Sequence, residues 1–545
     1  MKKKVTILTF LLLSLSIALY SEIIEFKIIH TNDMHGRALE RTSSLDRGKK
    51  ISGFASLKTL INREKLLSAL KGEKFFLFDL GDAIQGTIFG EYRKGVDIIN
   101  LMNSLGYELW VLGNHEFDFG QKKLKKLVAM ANFPVLCSNV KLRGKNGNLI
   151  SIDTFIKDYY IIDVAGIKIG LFGLSTPALL NMSVKNNVEN LYILPTDKTI
   201  RKNIDLLKKL GVNILIMASH MGIQEDTAAA KKFPELDIII GSHSHTFLEK
   251  PLFVNGVLIA QTGAYLTNAG KILIKYDADR SKIIMKTSSL LKLVHSKYPN
   301  NLRTENTIDK LNSEASIFAE QTLGISEDLL LRKVPGLGQL PAAEIKKLFF
   351  TKYKNYLKGF YISKDQLKPT VVESNLCSLV TDLMKKSGKA DISMMNPGGL
   401  RSNILKGNVK YKDVFQVIPF ANSIATCKLT GSQINSIMQK SASALHGGGI
   451  MYASGIKFRM NPFKPVGSRI YDITFNGKKL VMNKLYKVAT TNFTMMGGDG
   501  FEEFTQGKDS QDTSIILREE LKKYFIKNSP VKYSMDNRVI LEMKK

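Results

Sequence analysis

Cysteine is nearly absent from this chain. Only Cys137, Cys377 and Cys427 occur in 545 residues, so no disulfide framework can hold the fold and at least one thiol lacks an intrachain partner. Large apolar cores must do that work instead, and the length exceeds what one core fills, which predicts two or three domains. Beyond residue 21 no run of about twenty apolar residues appears, which leaves no candidate for a later membrane-spanning helix. Zinc-finger spacings, RNA-binding signatures, internal repeats and low-complexity blocks are also missing. Acidic residues are outnumbered, 49 against 78 basic, for a net charge of +29. The lysines are scattered through the chain, so the charge reads as a basic background that favours encounter with phosphorylated substrates, and no nucleic-acid polymer is expected as a partner.

At the N-terminus, MKKK precedes the apolar stretch VTILTFLLLSLSIAL, and Ala18 and Ser21 offer small residues for cleavage. This pattern predicts a secretory signal peptide over residues 1–21. No cysteine near that boundary could accept a lipid. The expectation is therefore a periplasmic or secreted protein with no membrane anchor after cleavage.

Through the first half, β-type apolar runs recur at residues 26–29, 75–78, 109–112, 167–172, 214–217 and 238–240. Between them lie segments with helical spacing such as 59–70 and 121–131, and the alternation predicts a layered α/β architecture. After a further run at 271–276 the pattern changes, and residues 303–321 are polar with helical periodicity, as a connecting helix would be. From residue 322 onward Gly-rich turns (GGL, HGGG, MGGDG) suggest a second, α+β unit, with a Lys- and aromatic-rich stretch over 333–368 that reads as an insertion.

The residues that follow the apolar runs carry the chemistry. HTNDMHG contributes Asp33 and His35, FDLGDAIQG Asp82, GNHEFD Asn114, His115 and Asp118, MASHMG His220, and GSHSH His243 and His245. All lie at the C-terminal ends of strands, where the loops of an α/β sheet gather ligands. Asp33 and His35 taken alone could cap a turn, Asp82 could be turn chemistry, and His220 could be a satisfied core imidazole. Five of the eight histidines are among these residues, however, which argues against chance placement. Asp, Asn and neutral His make a mixed oxygen and nitrogen set suited to zinc, manganese or cobalt without any thiolate. One Asp can bridge two such ions roughly 3.5 to 4 Å apart, which suits in-line displacement at phosphorus.

Together these motifs resemble the calcineurin-like metallophosphoesterases, and TNDMHG with GNHEFD resembles, within them, the 5′-nucleotidase and UDP-sugar hydrolase family. The resemblance implies a four-layer α/β/β/α metallophosphoesterase domain over 22–302, a linker helix over 303–321 and a C-terminal substrate-binding domain over 322–545. It implies two divalent metal ions, one held by Asp33, His35, Asp82 and His245, the other by Asp82, Asn114, His220 and His243, with His115 and Asp118 as a catalytic dyad and Asn114 also near substrate. In the second half it implies that Asn396 and Arg401 of MNPGGLRS contact substrate, that Phe420 and Phe493 sandwich a base, and that Asp499 binds ribose hydroxyls. One departure is Val372, where the family carries Arg. The activity so implied is hydrolysis of nucleoside 5′-monophosphates, extending to di- and triphosphates or nucleotide sugars, with rotation of the C-terminal domain during turnover. The alternatives are a 2′,3′-cyclic-nucleotide phosphodiesterase with 3′-nucleotidase activity, a sulfur-oxidation thiosulfohydrolase, and a non-catalytic nucleotide-binding surface protein. Oligomeric state is not legible at this level.

Overall fold

The computed structural model describes residues 22–42, 50–51, 53–334, 341–360, 370–443 and 450–543. The expected signal peptide, the HGGG turn at 446–449 and parts of the 333–368 stretch lie outside them.

Two sheets stack face to face in the first half. One runs, in spatial order, Lys282–Lys292, Asn268–Asp277, Ile23–Thr31, Lys74–Asp79, Leu109–Val111, Val135–Leu136 and Ile156–Lys157. The strands from Ile23–Thr31 onward pair in parallel, so their C-terminal ends share one rim. The other runs Tyr159–Val164, Ile167–Ser175, Ile214–His220, Ile238–Ile240, Val257–Ala260 and Leu252–Val254, again with a parallel centre.

The alternation of side chains along each strand separates the layers. Ile28, Phe78, Leu109, Ile216 and Ile238 meet between the sheets. Their neighbours Ile29, Leu77 and Trp110 turn outward against helices Phe54–Lys71, Val96–Leu105 and Gln121–Met130. Leu215, Met217 and Ile239 likewise meet helices Thr196–Lys209 and Ile223–Lys232. Because both faces are covered, these strands read as continuous apolar runs, and each fully buried Leu, Ile or Phe contributes about 1.5–3 kcal/mol. The result is the expected helix, sheet, sheet, helix layering.

A helix over Leu302–Ala319 connects the halves and is capped by Asn301, whose side chain accepts from the Thr304 amide at 3.1 Å. It ends two residues before the expected boundary, since Thr322–Ser326 is already a strand. The second half is α+β, with a five-stranded and a four-stranded sheet and helices Asn375–Ser387, Gly431–Ser443 and Leu517–Asn528. The described part of 333–368 is packed, not appended: Ile345, Phe349, Tyr353 and Leu357 lie in the core with Leu376 and Val380. All three cysteines are free and buried. Among the described residues no helix is long and apolar enough to cross a membrane.

Candidate metal centre

At the shared rim the backbone leaves the strands in unusual conformations. Asp33, His35, Asp82, His243 and His245 all have positive φ, between 49° and 71°. Non-glycine residues rarely adopt this region, and a cluster of them points to a site whose geometry is imposed by its surroundings. The imposition is visible in cross-loop hydrogen bonds. The amide of Asp33 donates to the Gly81 carbonyl at 2.9 Å, and that of His35 to the Asp82 carbonyl at 2.8 Å. Close approach also requires glycine at 113, where a Cβ would lie 2.2 Å from Oδ1 of Asp82.

Glu116, a residue for which the sequence suggests no role, ties these loops together. Its buried carboxylate accepts from the amides of Gly113 at 2.7 Å and of Asp82 and Ala83 at 2.8 Å. Burial, reinforced by the neighbouring Asp82 carboxylate, pushes Glu116 up to about 7.

The donor atoms converge into overlapping sets. Asp33, His35 and His245 bring one ligand atom each within 4.8 Å of one another; so do His35, Asp82 and His115, and so do Asp82, His220 and His243. Asp82 belongs to two of these sets, as a bridging ligand would. Asn114 is buried beside them, in the segment whose next amide, that of His115, donates to Oδ1 of Asp82 at 2.9 Å.

Tautomers are fixed from behind. Nδ1 of His220 lies 2.7 Å from the Leu80 carbonyl, so that nitrogen carries a proton, and Nε2 stands 3.1 Å from Oδ2 of Asp82. Nδ1 of His35 lies 3.2 Å from the Gln85 carbonyl, and its Nε2 faces Nε2 of His245 at 3.1 Å.

Whether divalent ions fit can be judged from atoms left without partners. Among the described residues Asn114 Oδ1 is buried with no hydrogen-bond partner, while His220 Nε2 meets Oδ2 of Asp82 and Asp33 Oδ1 meets only the His245 and His35 rings, an arrangement that costs free energy unless something binds there. All three belong to expected ligands, and their chemistry suits a borderline divalent metal. The electrostatics agree. Burial alone would lower the His220 imidazole, but Asp82 outweighs it and holds the ring protonated, up to about 10. Burial would raise the Asp82 carboxyl, but His220 and His115 hold it well below the usual range. Burial drives His35 and His243 down to about 4, leaving them neutral and available as ligands. The cluster thus demands positive charge, and metal ions supply it without occupying a ligand nitrogen.

His115 stands at the edge of this cluster. Its Nδ1 is 2.7 Å from Oδ2 of Asp118, which leaves Nε2 turned toward the site. Burial lowers its affinity for a proton, yet Asp118 and Asp82 overcome that and raise it to about 10.

In the second domain, Nδ2 of Asn396 donates to Oδ2 of Asp499 at 2.7 Å, and Phe493 packs so closely on Gly498 that a Cβ there would lie 2.4 Å from the ring. The Arg401 guanidinium stands 5.3 Å over the Phe420 ring. Phe420 and Phe493 are 37% and 38% exposed, so neither side chain is sealed in the core. Val372 is buried among Ile392, Met394 and Phe458. The domains touch through Arg518 and Glu91 at 3.0 Å and through Asn492, whose side chain donates to the Met182 carbonyl at 3.3 Å.

Comparisons agree with this picture. The calcineurin-like phosphoesterase family profile matches residues 26–247, and the 5′-nucleotidase C-terminal domain profile matches residues 358–506. The chain is 26% identical over 538 residues to a 5′-nucleotidase of Vibrio cholerae, covering 92% of this chain and 90% of that protein. It is 26% identical over 557 residues to the trifunctional nucleotide phosphoesterase protein YfkN of Bacillus subtilis, covering 93% of this chain but only 34% of that longer protein. Its fold is shared with a 5′-nucleotidase precursor from Thermus thermophilus, with a TM-score of 0.64 at 23% identity over 96% of this chain and all of that one. The chain belongs to the 5′-nucleotidase family of phosphoric ester hydrolases, which joins a calcineurin-like phosphoesterase domain to a 5′-nucleotidase C-terminal domain.

Proposed function

We propose that this protein is an exported metal-dependent 5′-nucleotidase that hydrolyses nucleoside 5′-monophosphates to nucleoside and phosphate. The observation that carries the reading is the convergence of Asp33, His35, Asp82, His220, His243 and His245 beside Asn114, whose buried side-chain oxygen has no hydrogen-bond partner among the described residues. Asp33, His35, Asp82 and His245 would hold one ion, and Asp82, Asn114, His220 and His243 the other. Two divalent cations bound there supply Lewis acidity, neutralising the phosphate and making water nucleophilic near neutral pH.

The chain's own groups supply the rest. Glu116 and the cross-loop hydrogen bonds hold the ligands in place before substrate arrives, so little reorganisation is required during reaction. His115, kept cationic by Asp118 and Asp82, would place an N–H beside the departing ester oxygen and give up that proton as the bond breaks. Asp118 fixes its tautomer and favours its charged form, which a proton from solvent water would restore. A planar base would enter between Phe420 and Phe493, while Asp499, oriented by Asn396, would accept from ribose hydroxyls. With Val372 buried, recognition of the phosphate by the second domain would fall to Arg401.

The test is phosphate release from nucleoside mono-, di- and cyclic phosphates after chelation and after readdition of zinc, manganese or cobalt singly. Nucleoside 5′-monophosphates should be cleaved only with metal restored, and His115→Ala should abolish turnover. Preferential cleavage of 2′,3′-cyclic nucleotides would instead favour the phosphodiesterase reading, and no release from any of them would leave a binding protein.

A further inference from the structure

Two arginines beside the cluster have no part in holding metal. Arg37 and Arg41 follow His35 in the same loop, and both turn to Tyr265. The Cζ atom of Arg37 stands 5.3 Å over the Tyr265 ring, and Nη2 of Arg41 donates to the Tyr265 carbonyl. That ring lies 5.3 Å from the His35 ring and 5.2 Å from the His245 ring, centroid to centroid. Tyr265 is held there in a left-handed conformation, φ 61°, by its amide hydrogen bond to the Asp33 carbonyl at 2.8 Å. Tyr265 therefore adjoins both guanidinium groups, Arg37 through its ring and Arg41 through its carbonyl, and the same ring meets the His35 and His245 side of the cluster.

These cations are poorly compensated. Nε of Arg37 and Nη1 of Arg41 are buried without a hydrogen-bond partner, and neither guanidinium pairs with a carboxylate among the described residues. The acid between them in sequence, Glu40, is already taken by Lys50 at 2.9 Å and His295 at 2.7 Å. A brace for the Tyr265 loop accounts for the stacking and for one donor of Arg41. It does not account for two adjacent like charges with unused N–H groups, since unpaired buried donors are costly. Both residues remain part-exposed, so neither side chain is sealed in the core.

We propose that Arg37 and Arg41 form an anion subsite beside the metal pair that receives a second phosphoryl group, so that substrates carrying a diphosphate are held more tightly than monophosphates. The proposal rests on the nucleotidase reading above and deepens it. Guanidinium forks match phosphate oxygens in pairs, and in this chain they stand on the phosphoesterase domain, where the other domain's Val372 offers no cation.

The test is calorimetric binding of methylenediphosphonate and of methylphosphonate to metal-reconstituted protein, with metal content measured after each titration. The diphosphonate should bind wild type roughly tenfold or more tighter than the monophosphonate, the scale expected for added charge-assisted hydrogen bonds. Arg37→Ala and Arg41→Ala should each erase most of that ratio while leaving metal content and methylphosphonate affinity in place, and Arg37→Lys should retain part of it. Equal affinities of wild type for the two probes would overturn the subsite. So would a uniform loss of both probes, or of metal, in the alanine variants and the lysine variant alike, which would mark the arginines as a structural brace. If the ratio behaves as expected but no nucleotide is turned over, the subsite stands and the nucleotidase reading falls.

Discussion

Nε2 of His220 stands 3.1 Å from Oδ2 of Asp82, while the other nitrogen of the same ring is committed to the Leu80 carbonyl at 2.7 Å. The ring can therefore offer Asp82 either a proton or, once that proton leaves, a lone pair to a cation lying between them. Asp82 in turn is drawn upon from the other side by His35 and His115.

Asp82→Asn keeps the shape of this bridge and removes its charge. Metal retained after reconstitution should fall, and phosphate release should drop by at least about 100-fold, no less than is typical when an outer partner of a metal ligand is lost. Elemental analysis beside a phosphate assay checks both. Full occupancy with wild-type turnover would remove Asp82 from the bridging role.

Glu116→Ala strips the acceptor from the amides of Gly113, Asp82 and Ala83. Each buried amide left unsatisfied costs about 1–3 kcal/mol, so a destabilisation of at least about 3 kcal/mol is expected. Thermal melts of the metal-free protein should show it, which separates the effect from loss of metal. An unchanged Tm would mean water replaces the carboxylate at no cost.

Asp226 supplies a pH dependence. Burial raises its carboxyl to about 7, against an ordinary value of 3.8, although Ser219 donates to it at 2.5 Å. Its folded-state value lies above the unfolded one, so its contribution to stability is complete below about 3.8 and is lost as pH rises through about 7. Denaturant melts of metal-free Asp226→Asn should lose less stability across that window than wild type. Parallel curves for the two proteins would contradict the assignment.

Phe420→Ala and Phe493→Ala should each raise KM for a nucleoside monophosphate by roughly tenfold, since stacking on one ring is worth about 1–3 kcal/mol. Turnover of p-nitrophenyl phosphate, which has no nucleobase, should change much less. Equal losses on both substrates would point to a folding defect and not to base recognition.

Much of the fold was legible before any coordinates. Apolar runs of strand length alternate with segments of helical spacing, and the central strands occur where those runs lie because both of their faces are covered. The linker helix was legible from its polar periodicity, with its end displaced by two residues because the next strand begins at Thr322. The packing of residues 341–357 into the second core was not, since Lys-rich sequence around isolated aromatics has no clear period.

The clustering of Asp and His at the rim was equally legible, because such residues directly after buried strands are expensive and their presence in a local window is itself a signal. Glu116, Tyr265, Arg37 and Arg41 were not, and the reason is range. Glu116 acts on amides up to 34 positions away, and Tyr265 meets His35 only because Ile23–Thr31 pairs with the strand that begins at Asn268. Sequence by itself determined which chemical groups line the rim. Tertiary structure alone decided which nitrogen of the His35 and His220 imidazoles faces inward, that Asp82 belongs to two donor sets, and that two arginines beside the site have no carboxylate partner among the described residues, because carbonyls and charges distant along the chain set those features once the loops close together.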